Sequence, residues 1–336
     1  MSGPISVVVV AYRAGDSLLR CLRSLEPAGD LELIVVDNGS ESDEIERAAQ
    51  LENVRVLAPG RNVGFAAGCN LGAAEATGDV LVFLNPDTVV GSGALPALGR
   101  TLDDRSIGIA MARLRLLDRP ELLNSGGTVV HVSGLAWAGR YGEPAETIRE
   151  VEDVAAPSGA AMAIRRELFE ELGGFTEELF MYLEDTELGW RARLHGLRVA
   201  VVPSADVYHD YEFSRNETKL ALLERNREIF TLTAYSLRLL LLLAPVLAAT
   251  ELAMLAIAGK QRWLGGKLEG WWWLARHAGW LRRHRRETQR LRRIPDEEPA
   301  RFLEPALDPQ MIELSSLVSP INAVMRAYWS VARRAL

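Results

Sequence analysis

Cysteine is nearly absent: Cys21 and Cys69 are the only two among 336 residues, and they lie 48 positions apart. Two such residues build neither a disulfide scaffold nor a zinc knuckle, and they fit a reducing, cytoplasmic compartment. There is no internal repeat, no low-complexity linker and no G-x-G-x-x-G after the opening apolar run. The first turn reads Ala11-Tyr12-Arg13-Ala14-Gly15 instead, which disfavours a dinucleotide-binding Rossmann domain. The run itself, Ile5 to Ala11, lacks the basic flank, longer apolar stretch and cleavage site of a secretory signal, and reads as a buried parallel strand. With 48% hydrophobic and 25% charged residues, wholesale disorder and fibrous architectures are excluded.

Basic residues are outnumbered, 38 to 45, for a net charge of −7 that argues against a nucleic-acid partner. The deficit is uneven. Residues 260–293 hold eleven Lys/Arg against two acids, so that window carries +9 and the rest of the chain −16. Five of the eight tryptophans (Trp263, Trp271, Trp272, Trp273, Trp280) fall in the same window.

Strand and helix patterns alternate through the first half. The apolar spacing predicts a helix over 16–25, a strand over 31–37, a polar helix over 41–51 and a strand over 54–57. A Gly-rich loop and helix over 60–77 precede a strand over 79–85. This order predicts an α/β domain with a mainly parallel sheet flanked by helices. Residues 107–154 read as a loop-rich insertion with short strands. A strand over 160–164, a helix over 166–172 ended by Gly173-Gly174, a helix entered from 180–191 and a strand over 199–203 follow. Ligands of such sheets bind at the carboxyl ends of the strands, here Ala11-Tyr12-Arg13, Asp37-Asn38-Gly39-Ser40 and Asn85-Pro86-Asp87-Thr88.

These strand ends belong to an ordered set: Val-Asp-Asn-Gly-Ser (36–40), Arg-Asn-Val-Gly-Phe-Ala-Ala-Gly-Cys-Asn (61–70), Asn-Pro-Asp-Thr (85–88), Gly-Gly-Phe (173–175), Glu184-Asp185 and His209. The set resembles the family 2 glycosyltransferases, inverting enzymes of GT-A fold that use a nucleotide-diphosphate sugar. Its Asn-Pro-Asp-Thr and Arg-Asn-x-Gly-Phe forms are most similar to bacterial rhamnosyltransferases of cell-wall and O-antigen assembly. The resemblance covers about residues 4–215, and it implies a catalytic domain over 1–215 followed by a helical region over 216–336.

The resemblance implies that Ala11, Tyr12, Arg13, Asp37, Asn38, Arg61, Asn62, Gly64, Phe65, Asn70, Asn85, Pro86 and Asp87 bind the nucleotide sugar. Asp37 could equally cap the helix that follows it. The turn at 61–70 could present backbone N–H groups to phosphate, or could use Gly64 and Gly68 to let a helix approach the sheet. Asp87 takes the place of the last acid of the family's Asp-x-Asp motif, which binds a divalent cation, Mg²⁺ or Mn²⁺, and His209 is the candidate second ligand. Asn85 stands where an acid is usual. The bland alternatives are a turn residue for Asp87 and an ordinary capped histidine for His209. Asp185 takes the place of the general base, with Glu184 beside it; a helix cap is the structural alternative. Ser158, Gly159 and Trp190 are the candidates for acceptor contact, with core packing the other use of Trp190.

Residues 239–258 form a 20-residue apolar stretch with one charge, Glu251, and a proline, Pro245. Its length suits a bilayer, yet an acid near a helix centre costs roughly 2.5–3.5 kcal/mol on insertion. The Trp-rich basic window at 260–293 suits an anionic membrane surface. Helices held in one leaflet, a single span, and buried helices of a soluble fold or homo-oligomer interface stay open. The expected role is transfer of a sugar, L-rhamnose from dTDP-rhamnose, to a polyprenyl-diphosphate-linked saccharide at the cytoplasmic face of the cell membrane. A UDP-sugar donor (galactofuranose or N-acetylglucosamine) and a catalytically silent binding scaffold are the alternatives.

Overall fold

The computed structural model describes residues 3–25, 31–40, 43–210, 217–308 and 315–336. In chain order these form β1 (Ile5–Ala11), α1 (Asp16–Leu25), β2 (Glu32–Asp37), α2 (Glu44–Ala48), β3 (Val54–Leu57), α3 (Phe65–Glu75), β4 (Val80–Leu84), β5 (Thr88–Val90), α4 (Ala94–Thr101), β6 (Ile107–Leu116) and β7 (Leu123–Ser125). Next come β8 (Thr128–His131), β9 (Ala136–Ala138), β10 (Glu152–Asp153), β11 (Ala161–Arg165), α5 (Arg166–Leu172), α6 (Glu184–Leu194) and β12 (Arg198–His209). The remainder is α7 (Glu217–Ala234), α8 (Leu237–Lys260), α9 (Leu264–Arg276), α10 (Ala278–Arg290), α11 (Glu297–Ala300), β13 (Leu303–Glu304) and α12 (Ser315–Ala332). The chain divides into two compact units: the described residues of 1–128, 138–193 and 197–213, and those of 129–137, 194–196 and 214–336. The expected division between 215 and 216 lies outside the described residues, as do Glu41 and Ser42 at the start of the polar helix. The short segment 129–137 packs with the second unit although it lies inside 1–215.

The first unit is built on a sheet ordered β10-β12-β6-β11-β4-β1-β2-β3, with β5 on β12 and β7 on β6. The strands β1 to β4 run parallel, Ala11 pairing with Asp37 and Val9 with Leu84. Every residue of β1 and β4 is buried, as their unbroken apolar runs require when helices cover both faces. In its middle the sheet becomes mixed where β11 enters antiparallel between β4 and β6, and β10, β5 and β7 also pair antiparallel around β12 and β6. Strand direction follows from the connection rather than from local pattern, so it could not be read from residues 160–164.

Residues 107–154 are not a loop-rich insertion throughout. Their first ten residues are β6, a central strand buried almost end to end. Arg113 and Arg115, which look like surface residues, lie on this strand and converge on Asp206 of β12. Arg113 binds both carboxylate oxygens, at 2.7 and 3.0 Å, and Arg115 Nε binds one at 2.8 Å. Asp206 follows a register shift in β12, after which Asp206–His209 realign with Arg113–Leu116 and pair with β5. That realignment carries His209 to the end of the strand beside Thr88.

The helix α3 lies unusually near β1 because it offers glycine at the contact. A Cβ on Gly68 would sit 2.9 Å from Val10 Cγ1, and one on Gly72 only 2.3 Å from Val8 Cγ1.

In the second unit α7 packs against α9 and α10, and α8 against α9. The last carbonyls of α7 are satisfied from α10: Arg285 Nη1 donates to Leu232 O and Tyr235 O, and Gln289 Nε2 to Thr233 O and Ala234 O at 2.8 and 3.0 Å. A small sheet, β13-β8-β9, lies in the same unit. Only two of the five clustered tryptophans are exposed, Trp271 and Trp272. Trp263 is buried, Trp273 stacks on His277 and Trp280 on His284, so the window is as much a packed helix pair as a surface.

Replacing Gly72 by Ala should push α3 off β1 and cost about 1–3 kcal/mol, read as a lower urea midpoint. Gly265→Ala, where a Cβ meets nothing within 4 Å, should cause no such loss.

Candidate active site

The carboxyl ends of β1 and β2 are joined by a bond from Asn38 N to Ala11 O at 2.8 Å. Asp37 Oδ1 accepts from Gly39 N and Ser40 N at 3.2 and 2.9 Å, a turn closed on its own side chain. It does not cap α2, whose N-cap is Asp43. Tyr12 is 47% exposed at the end of β1, with the Arg13 guanidinium 5.3 Å from its ring centre. A flat aromatic face and a strand-end carboxylate therefore stand side by side on adjacent strands.

The turn before α3 is closed by amides. Asn38 Nδ2 donates to Asn62 Oδ1 at 3.0 Å, Val63 N to Asn38 Oδ1 at 2.7 Å, and Gly64 N to Asn62 Oδ1 at 2.9 Å. Ala66 N donates to Phe180 O at 3.1 Å. Three N–H groups of this turn are thus spent inside the protein, which corrects the expectation that they face phosphate. Gly64, at φ +90°, leaves room for Phe180: a Cβ there would lie 2.5 Å from its ring and 2.6 Å from its carbonyl oxygen. The half-buried Asn70 exchanges two bonds with the Phe175 main chain, both at 2.9 Å, and so fixes the Gly173-Gly174-Phe175 turn. Arg61 is exposed, and Phe65 half-buried, at the mouth of this turn.

Asn85 works through its backbone. Its N–H donates to Ala160 O at 3.0 Å, tying the end of β4 to the start of β11, and its carbonyl accepts from Thr88 Oγ1 at 2.7 Å. Pro86 and Asp87 follow, half-buried. Asp87 Oδ1 lies 3.2 Å from His209 Nε2, so the two candidate ligands are brought together. The other ring nitrogen, Nδ1, faces Asn124 Oδ1 at 2.9 Å. With the amide oxygen so placed, Nδ1 is the donor, and the neutral tautomer with this proton would offer Nε2 as a ligand on the Asp87 side. A carboxylate oxygen and an imidazole lone pair that face one another fit a divalent cation of the Mn²⁺ or Mg²⁺ kind. Asn124, on the short strand β7, was missed from the sequence; only its partnership with His209 across 85 residues marks it.

Glu184 and Asp185 open α6 after a strained approach. Phe180, Tyr182 and Leu183 all hold positive φ, at 65°, 70° and 63°, without being glycine. Such residues persist only where their surroundings over-determine them, and they gather at functional sites. Asp185 Oδ2 accepts from Gly159 N at 2.7 Å, and Oδ1 from Thr186 N at 2.6 Å and Thr186 Oγ1 at 3.2 Å. Burial raises the Asp185 carboxyl, and these donors pull it back toward the charged form. Burial, with the Asp185 charge beside it, holds Glu184 well above the usual carboxylate range. The third acid of the run, Glu187, is structural: its Oε2 lies 2.6 Å from Arg191 Nη2 and also accepts from Thr176.

Ser158 and Gly159 sit at the end of β4 through Asn85 and Ala160, and Gly159 donates directly to Asp185. Trp190 is corrected. It is 1% exposed and packs in the core, so no sugar can stack on it.

The model for the family described as glycosyltransferase-like family 2 matches residues 3–231. An N-acetylglucosaminyl-diphospho-decaprenol L-rhamnosyltransferase of Mycobacterium tuberculosis is 32% identical over 241 residues, covering 62% of this chain and 76% of that protein. Among solved structures, GalNAc-T7 with UDP, GalNAc and Mn²⁺ superposes at TM-score 0.56 and 21% identity, over 69% of this chain and 48% of that one. A Pyrobaculum calidifontis mannosyltransferase in complex with GDP-Man and Mn²⁺ does so at 0.52 and 15%, over 100% of this chain and 87% of that one. Those two likenesses establish the GT-A fold. With its family match running from the first strand past His209, the chain belongs to the family 2 glycosyltransferases, and within them it resembles the L-rhamnosyltransferases.

Proposed function

We propose that this enzyme inverts the anomeric carbon as it moves L-rhamnose from dTDP-rhamnose to a polyprenyl-diphosphate-linked saccharide, at the cytoplasmic face of the cell membrane. The observation that carries the reading is the pairing of Asp185 with Gly159 at the end of β4, next to the facing pair Asp87 and His209. The rhamnosyl donor and lipid-linked acceptor rest on the mycobacterial relative's own activity.

Inverting transfer needs a base to take the proton of the acceptor hydroxyl as that oxygen attacks. Asp185 has the form for it. Burial holds the Glu184 carboxyl well above the usual range, whereas three donors favour the charged form at Asp185. Those donors also fix the carboxylate's orientation, since Gly159 and Thr186 grip opposite oxygens. Asp37 and Tyr12 are placed to hold the nucleoside, one by a carboxylate oxygen and the other by its ring. Asp87 and His209 would hold the divalent cation, which when bound supplies positive charge to the departing diphosphate. Asn124 keeps the His209 tautomer that offers Nε2.

Asp185→Asn should lower transfer about 10²–10⁴-fold while leaving dTDP binding, followed by thermal shift, unchanged; full turnover by the variant would remove Asp185 as the base. Membranes holding the protein, supplied with labelled dTDP-rhamnose, should yield lipid-extractable product, whereas labelled UDP-sugars should not. A base acts only when ionised, and the Asp185 carboxyl is raised. Transfer should therefore fall as pH drops through a midpoint above the ordinary aspartate value of about 3.9. A midpoint at or below that value would contradict the burial argument. EDTA should stop transfer and Mn²⁺ or Mg²⁺ restore it. Both Asp87→Asn and His209→Ala should weaken Mn²⁺ binding, measured by electron paramagnetic resonance.

A further inference from the structure

We infer that α8 lies flat along one leaflet of an anionic membrane instead of crossing it, with α12 completing the lipid-facing surface. This rests on the membrane reading above and goes further, since length and composition alone leave spanning and lying flat equally open.

The helix α8 buries few of its residues and leaves an apolar stripe exposed. Leu237, Leu241, Ala244, Ala248 and Leu252 are exposed and recur at the i, i+4, i+7, i+11, i+15 spacing of one helix face. Leu241 and Leu252 are 68% and 69% exposed, large values for leucine in a folded unit. Over those positions the stripe runs about 22 Å. Leu239, Leu243 and Val246, on the other side of the helix, are buried, and half-buried Glu251 lies at the edge of the stripe, where α8 meets α7 and α9.

Glu251 decides the orientation. As a lone acid it speaks only against insertion, but it is not alone. Its carboxylate accepts from Arg227 of α7 and from Lys267 Nζ of α9, the latter at 2.7 Å. The same ammonium donates to Glu224 at 2.6 Å and to Glu228, and Arg227 binds both oxygens of Glu224 at 2.7 and 2.8 Å. Three carboxylates surround one ammonium, which stands where a metal would otherwise sit. This network fastens the middle of α8 to α7 and α9. A spanning α8 would have to abandon the network or carry five charged side chains into hydrocarbon, where no water can replace the lost partners. Lying flat keeps the network inside the protein and gives the stripe to lipid.

The second helix of the surface is tied to the first by Tyr328, whose hydroxyl donates to Leu242 O. On α12 Val324 is 68% exposed and Val331 66%, with Arg326, Arg333 and Arg334 exposed beside them. Lys260 and Arg262 are exposed at the far end of α8. Cations flanking an apolar surface match anionic headgroups, and they would oppose one another across the same surface in a second copy.

The test uses the full chain with vesicles of phosphatidylcholine and phosphatidylglycerol in a 7:3 ratio. Flotation should recover the protein with these vesicles and not with phosphatidylcholine alone. Leu241→Glu and Leu252→Glu, both at exposed positions, should reduce recovery at least tenfold with an unchanged melting temperature. Arg238→Cys, Ala248→Cys and Gly259→Cys, each labelled singly with an environment-sensitive dye, should report one shallow depth by spin-labelled lipid quenching. The native Cys21 and Cys69 are buried and do not compete for the label. A deep centre with one end across the bilayer would overturn the flat orientation and leave the membrane reading standing. No vesicle binding, with a dimer in solution that Leu241→Glu dissociates, would overturn both.

Discussion

The candidate active-site edge of this protein depends on how closely one helix approaches one strand. Where α3 crosses β1 it has no side chain at two successive turns, and Val8 and Val10 fill the space that Cβ atoms would occupy. Helix and sheet are therefore separated by valine alone, and every later contact inherits that spacing. At its first turn α3 receives Phe180 against Gly64, and a turn and a half later Asn70 holds Phe175. The helix thereby transmits the position of β1 to residues 173–180, and these lead into the first turn of α6. Dense interiors pass on displacements of a few tenths of an ångström, because no void exists to absorb them. A strand, a helix and a carboxylate pair separated by more than a hundred residues are thus set by two missing methyl groups.

The same logic explains why strain is tolerated before Glu184. Each non-glycine residue in the left-handed region costs about 1–3 kcal/mol. At Phe180 the cost is offset by fixed contacts: its carbonyl accepts from Ala66 and its N–H donates to Glu177. The result is an abrupt entry to α6 that aims two neighbouring carboxylates differently. One enters a loop of donors, Gly159 and Thr186; the other is buried beside it. Environment, not residue type, raises one carboxyl well above the usual range while donors hold the other back toward the charged form. A cap explanation of Asp185 covers only one of its oxygens, since Thr186 of α6 donates to Oδ1 whereas Gly159, which donates to Oδ2, belongs to another loop.

Much of the first unit was legible because local pattern decides it. The bounds of β1, α1, β3 and α5 coincide with the β-branched runs, the helical leucine spacing and the Gly173-Gly174 stop in the sequence. The carboxylates at the strand ends were legible for the same reason, since a strand that ends in a polar residue announces where the sheet meets water. What local pattern does not contain is partnership. Arg113 and Arg115 alternate with apolar residues as if half of β6 were solvated, and only Asp206, ninety residues on, makes them interior. Asn38, Asn62 and Asn70 carry the polarity expected of ligand-binding residues, but their amides bind main chain and one another. Trp190 shows the converse, since an aromatic one turn from Glu184 and Asp185 has the right address and almost no exposure.

Charge in the second unit follows the same rule. Counting Lys and Arg over 260–293 treats all eleven as surface charge, whereas Lys267 is enclosed by glutamates, Arg285 is spent on the carbonyls that end α7, and Arg292 is paired with Asp296. Eight remain exposed: Lys260, Arg262, Arg276, Arg282, Arg283, Arg286, Arg290 and Arg293. The correction lowers the field of the window without removing it, and it relocates the information. An isolated glutamate in an apolar helix reads as an obstacle to a membrane because insertion strips it of water. Enclosed by an arginine and a lysine from two neighbouring helices, it becomes the reason that the helix has an inside and an outside. The outside then needs no polar residue at all, and the sequence supplies leucine and alanine there.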